Sequence, residues 1–476
     1  MIFLRRHKTL CRSIGVLMFW FHLAGGESPR TTSHLENGYR LIQTEQYQQA
    51  AEAFRLVLEV SPENASAYYG LGETYRYQQQ LPLAVETYRQ AIAQEITPNL
   101  RGHIYLRLGQ IYQQQGKLTE ATHAVQLAIA DLPASDTAQV TLGEIYTQSR
   151  MFSAAIHAYQ RATRLTPEAT AAQTGLGKIY LLQNRLTKAV DCFQEAIQSD
   201  PFTASHYYNL SRAYRLSGQL ELAQSKMKQF AKIKAYQDRV YDYREALQLA
   251  PNNNPYTYVK LAEVHQQVGN LEAAADAYQM AVTVEPQFID GYCRLSQVRI
   301  EQNLYDRAVS HLQTGLQANP NQEKLLKTLG EVTISTQDFS TAIQAYQKLV
   351  TTSPKQWQYW RTLGLLYVNT RQFDRAVEAF QQAVGVGADS AQAHNDLARL
   401  YAGLDQSLDL AVELANKAVS LSREAQYLDT LAYIYYRSGD YSKAIQAAQA
   451  AIQLAPDNLR YQEQRQQIQA AITDTK

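Results

Sequence analysis

The sequence predicts an all-α solenoid of antiparallel helix pairs, and three observations predict it. First, the 476-residue chain repeats every 34 residues: Tyr112, Tyr146, Tyr180 and Tyr214 keep that step, as do Ala121, Ala155, Ala189 and Ala223. Pro133, Pro167 and Pro201 keep it too, and so do Pro286, Pro320 and Pro354. Second, apolar residues within each unit recur at three- and four-residue steps, which is helical periodicity. Third, Gly and Pro total only 35, which argues against disorder. A period of this length identifies a repeat array, which grows unit by unit without one central core.

The first 26 residues differ from the rest. Arg5, Arg6, Lys8 and Arg12 precede the apolar run "IGVLMFWFHLA", and Ala24-Gly25-Gly26 follows. That is the layout of a secretory signal, and the run is too short to span a bilayer of roughly 30 Å. The expectation is export, to the periplasm or beyond the cell. An uncleaved N-terminal anchor is the alternative. No second apolar segment of spanning length follows. Without residues 1–26 the chain carries 41 basic and 44 acidic side chains. That balance argues against a general nucleic-acid binder, which should be markedly basic.

Residues 27–33 read as a short linker, and 34–220 as a first array that ends within the sixth repeat. Numbering each unit so that its first-helix small residue is position 8, that position is Gly38, Gly72, Gly109, Gly143 and Gly177 in the first five units. Position 20 is alanine throughout these units, and position 24 is bulky, as in Phe54, Tyr88, Tyr159 and Phe193. A glycine inside a helix costs about 1 kcal/mol against alanine. It survives where the partner helix comes too close for a larger side chain. The pair Gly175-Leu176-Gly177 is therefore architecture and not a phosphate loop: no third glycine and no Lys-Ser/Thr pair complete it. A polar turn near positions 14–16, often with glycine (Gly116, Gly218, Gly269, Gly439), separates two helices of about 13 residues. Proline at position 32 cannot continue the second helix.

From Pro201 to Pro251 the spacing is 50 residues, 16 more than the period, with no Gly or Pro from Glu221 to Ala250. Residues 221–251 are read as one connecting helix of about 30 residues, roughly 45 Å long. It would join two arrays and shift their relative rotation. Lys226, Lys228, Lys232 and Lys234 make its start basic. A second array fills 252–457. Its eleventh unit has one extra turn residue and no closing proline. Residues 458–476 read as a capping helix and tail, which a solenoid end needs to cover its last apolar face.

The pattern Tyr105-Leu108-Gly109-Tyr112-Ala121-Ala128-Pro133, repeated as Trp360-Leu363-Gly364-Tyr367-Ala376-Phe380-Ala383, resembles the tetratricopeptide repeat. The resemblance covers about residues 34 to 457 in about twelve units. It implies a right-handed superhelix whose concave groove, lined by first helices, holds a peptide or partner helix. Family members are mostly scaffolds and adaptors. The resemblance also implies that first-helix positions 5, 9 and 12 face the groove. Repeats five and six then contribute Lys178, Tyr208, Arg212 and Arg215, with Glu144 before them. Repeats nine to eleven contribute Lys327, Arg361 and Arg399, and Tyr69, Glu73 and Arg76 form a mixed set near the start. Arg and Tyr carry much of the binding energy at interfaces, and a basic groove suits an acidic peptide or a C-terminal carboxylate. Chaperone-binding members use Lys at 5 and Asn at 9, but position 9 is never Asn here. The asparagine ladder of sugar-transferase superhelices needs Asn at 6, met only by Asn209.

No catalytic or metal site is expected. The ten histidines are scattered, none forms His-Glu-x-x-His, and His265 takes the place of a core tyrosine at position 11. Cys192 and Cys293 lie in separate repeats, so neither a disulfide framework nor a zinc site is indicated. The reading is a non-catalytic protein-interaction scaffold without cofactor, whose partners are other proteins. The alternatives are an assembly component of an envelope complex, self-associating through the long helix, and a glycan carrier whose tyrosines stack on sugars.

Overall fold

The computed structural model describes residues 29–43, 46–249 and 254–474. The expected export signal, 1–26, lies outside the described residues, as does Cys11. Among the described residues there are twenty-five α-helices, from α1 (Pro29–Gln43) to α25 (Leu459–Asp474), and no strand. The fold is an all-α superhelical repeat. Helix α1 covers Pro29–Gln43, so residues 29–33, expected as linker, are helical. Thr31 is already buried.

Small and bulky residues meet as the repeat pattern requires. In the fifth unit, α9 (Thr170–Leu182) pairs with α10 (Leu186–Ser199). A Cβ placed on Gly177 would lie 2.6 Å from the ring of Phe193, which is fully buried. Gly175 takes the ring of the preceding unit: its Cβ would lie 2.4 Å from Tyr159. One glycine thus seals the pair and the other seals the joint. Each buried ring contributes about 1.5–3 kcal/mol.

The tyrosines at position 11 tie successive units together. Most accept a hydrogen bond from the side chain at position 25 of the preceding second helix. Gln194 donates to Tyr214 at 2.9 Å, Gln347 to Tyr367 at 2.8 Å and Gln381 to Tyr401 at 2.8 Å. Arginine does the same from Arg55 to Tyr75 and from Arg89 to Tyr112.

The turns share one conformation. Gly116, Gly218, Gly269 and Gly439 stand at φ 75–82°. Gln79, Arg150, Asn184, Asn303, Gln337, Arg371 and Asp405 take the same left-handed place at φ 55–62°. The next N–H then reaches back to the carbonyl at position 11, as Arg185 does to Tyr180 at 2.8 Å and Gln219 to Tyr214 at 2.9 Å. This closure satisfies a helix-end carbonyl. In the eleventh unit the extra residue adds a second left-handed position, Ser407.

The chain divides into two compact units between Gln237 and Asp238. The division falls inside α12 (Leu220–Leu249), a helix of 30 residues. Each half of α12 is committed to its own unit. In the first, Ala223, Ile233 and Tyr236 are buried, and Gln237 donates to the carbonyl of Phe202 at 3.1 Å. In the second, Val240 is buried and Arg239 donates to Gln267 at 2.7 Å. At the far end of the second unit α25 buries Ile468, and Gln464 donates to the carbonyl of Asp429 at 3.0 Å.

Candidate functional site on the first-helix face

Two neighbouring first helices, α9 and α11 (Ala204–Leu216), contain no acidic residue. They carry Lys178, Arg212 and Arg215. Lys178 and Arg215 are exposed, and Arg212 is half-buried, its guanidinium 5.9 Å from the Tyr208 ring centre. Tyr208 is 40% exposed and its other side meets Phe230 of α12, ring centres 5.5 Å apart. The helices lie side by side: Thr174 Oγ1 and His206 Nδ1 are 3.2 Å apart in the buried layer beneath. Sequence reading missed Leu182 and Leu216, which are 68% and 58% exposed. The signal was available: position 13 is leucine in these two units and Gln in three others of the first array (Gln43, Gln114, Gln148). Glu144, one repeat earlier, is half-buried.

Near the start the structure corrects the expectation. Tyr69 is buried, packed 6.1 Å from the Tyr88 ring, and does not present itself to a partner. Arg76 is turned inward onto Glu73, with Nε and Nη2 donating to the two carboxylate oxygens at 3.0 and 2.7 Å. Arg107, from the next repeat, adds an ion pair to Glu73 at 3.2 Å, and Tyr88 donates to the same carboxylate. Burial pushes the Glu73 carboxyl up, but Arg107 and Arg76 outweigh it and hold the pKa at about 2. The mixed set is thus an internal charge cluster that clamps the second repeat to the third. The reason is reach: position 9 of one unit faces position 6 of the next, as Glu263 and Arg294 repeat at 3.1 Å.

In the second unit the candidates divide. Arg361 is half-buried and paired with Asp396 at 2.5 Å, so its charge is internally satisfied. Lys327 is exposed, 3.8 Å from Glu331. Arg399 is exposed; burial pushes the Asp429 carboxyl up, and Arg460 and Arg399 pull against it. On α12, Lys228 and Lys232 are exposed while Lys226 and Lys234 are half-buried.

Among the described residues no group of three or more His, Cys, Asp or Glu could hold a metal ion. No described helix is long and apolar enough to cross a membrane. Burial pushes the Cys192 thiol up to about 12, and His265 is buried in α13 (Pro255–Gln266).

The tetratricopeptide repeat family matches residues 35–99, 73–137, 140–204, 361–429 and 425–458, together more than half of the chain. The family of ChAPs (Chs5p-Arf1p-binding proteins) matches residues 246–383. Among curated proteins, Hsp70-Hsp90 organizing protein 2 of Arabidopsis thaliana is 29% identical over 103 residues, 22% of this chain and 18% of that protein. Small glutamine-rich tetratricopeptide repeat-containing protein 2 of Mycosarcoma maydis is 30% identical over 96 residues, 20% of this chain and 27% of that protein. The matches span less than a third of either relative's length. Among solved structures, PilW, a type IV pilus biogenesis factor, is 19% identical, with 43% of this chain and 93% of that chain covered and a TM-score of 0.39. The APC/C hetero-tetramer Cut9-Hcn1 is 13% identical, with 92% and 96% covered and a TM-score of 0.32. The 34-residue helix pairs seen along both units are the repeat that these matches describe, and the chain belongs to the tetratricopeptide repeat proteins.

Proposed function

We propose that this chain is a protein-interaction scaffold that holds an acidic segment of a partner against the first helices of repeats five and six. One observation carries the reading. α9 and α11 present Lys178, Tyr208, Arg212 and Arg215 in adjacent units, with no acidic residue on either helix. Elsewhere on the first-helix face Arg76 and Arg361 are spent inside the fold, and the exposed Lys327 and Arg399 stand near Glu331 and Asp429. Here two are exposed, and cations focus the approach of an anionic partner. Membership of a family of interaction modules supports the same role. So does a relative named for organizing Hsp70 and Hsp90, although the Asn expected at position 9 of a chaperone-binding groove is absent here.

The test is affinity capture of the tagged full-length chain from its native cells, read by mass spectrometry. The variant is Lys178→Glu with Arg215→Glu, both at exposed positions, so helicity should be unchanged. A partner set that the wild type enriches and the variant loses is the expected result. The same set returning with both proteins would remove the site from these helices. Recovery of the chain alone would move self-assembly ahead.

A further inference from the structure

The same face carries an apolar row that charge alone does not explain. Among the described residues of the first unit, the well-exposed large apolar side chains on first helices are Leu182, Tyr208 and Leu216. All three lie on α9 and α11. Leu182 stands one turn after Lys178, and Leu216 one turn after Arg212, so each leucine shares a helix face with a cation. Because the two helices lie side by side and use the same repeat positions, two parallel rows cross them. One row is Lys178 and Arg212; the other is Leu182 and Leu216. The rows are about 6 Å apart along the helices, four residues at about 1.5 Å each. Isolated exposed apolar residues are ordinary, but apolar residues that adjoin across neighbouring helices beside cations suit an interaction site.

We propose that the partner segment is an acidic amphipathic α-helix lying across α9 and α11. Its apolar stripe covers Leu182 and Leu216, and an adjoining stripe of carboxylates meets Lys178 and Arg212. This rests on the reading of the first-helix face as a partner site. Geometry selects a helix over an extended strand. A strand points successive side chains to opposite faces, so acidic and apolar residues that alternate could not both meet one surface. A helix carries two adjacent stripes on neighbouring parts of one face. Spacing agrees: neighbouring packed helices are about 8–10 Å apart, and residues seven apart on a helix rise about 10.5 Å. Anchors at i and i+7 would therefore reach both leucines, which is how helices dock into grooves.

The test uses fluorescein-labelled peptides of about 20 residues and the full-length chain. The first peptide places Leu at helical spacing beside a stripe of Glu. The second has the same composition with Leu and Glu alternating. Anisotropy reads affinity, and circular dichroism reads peptide helicity on binding. The first peptide is expected to bind at least about 10-fold tighter than the second and to become helical. Leu182→Ser with Leu216→Ser should abolish that difference while leaving weak, salt-sensitive binding of both. Equal affinity for the two peptides, no binding of either, or no effect of the serine variant would overturn the amphipathic-helix proposal. Partner capture that still depends on Lys178 and Arg215 would then leave the scaffold reading standing. Capture indifferent to them sinks that reading on its own.

Discussion

Glu73→Gln is the substitution that most directly probes how the second and third repeats are held together. The Glu73 side chain is 8% exposed, with Arg76 and Arg107 on its carboxylate. Glutamine keeps the shape and removes the charge, so two guanidiniums remain with no counter-charge. The folded pKa of about 2 against an ordinary 4.5 corresponds to about 3 kcal/mol of stabilisation. Removing one partner of a buried ion pair costs about 3–5 kcal/mol, so the two routes agree on a loss of about 3 kcal/mol at neutral pH. The sign with pH follows from a depressed carboxylate. The contribution is complete above pH 4.5 and is lost as pH falls toward 2. At pH 3 the gap between wild type and variant should therefore have shrunk to about half. Urea unfolding followed at 222 nm, at pH 7 and pH 3, reads both quantities. Glu331→Gln, at an exposed pair with Lys327, should change stability by less than about 0.5 kcal/mol. A Glu73→Gln gap under about 1 kcal/mol at pH 7, or one that does not narrow in acid, would refute the clamp.

Two further expectations rest on separate features. Gly175→Ala drives a Cβ to 2.4 Å from the packed Tyr159 ring and should cost about 1–3 kcal/mol by overpacking, read as a lowered melting temperature. Gly218→Ala, at φ 80° with nothing nearby, should cost only about 1 kcal/mol from backbone strain. No loss at Gly175→Ala would contradict the packing account. Burial lowers the His265 pKa to about 4, and the Arg244 charge adds to the effect. The unfolded chain therefore binds a proton from about pH 6.5 down that the folded chain refuses until about 4. Stability is full above pH 6.5 and falls through that window. His265→Tyr, which restores the usual residue at position 11, should flatten the profile between those values. An unchanged slope in a pH series of melting curves would show that His265 does not titrate this way.

Several features were legible in the residues. Gly177 needed a close neighbour at position 24, and Phe193 is there. The left-handed turns were legible only where glycine marked them. Arg150, Arg371 and Gln79 give no local hint of positive φ, and they adopt it because the helix pair must close between two packed neighbours. The residues alone place the charge cluster in a groove because its third member, Arg107, lies at a different position of another repeat. Tyr69 turns inward because the Tyr88 ring of its own repeat covers it.

By itself the sequence determined the 34-residue helix pair, the small-against-bulky packing within it and the absence of acid from α9 and α11. These follow from local spacing and composition, which any one repeat displays. Only the tertiary structure decided which cations are consumed and which are offered. Arg76 and Arg361 find carboxylates within reach, whereas Lys178 and Arg215 remain exposed beside Leu182 and Leu216. That outcome depends on distances between stacked repeats, and those distances are set by how the glycines, rings and joint tyrosines let neighbouring helices approach.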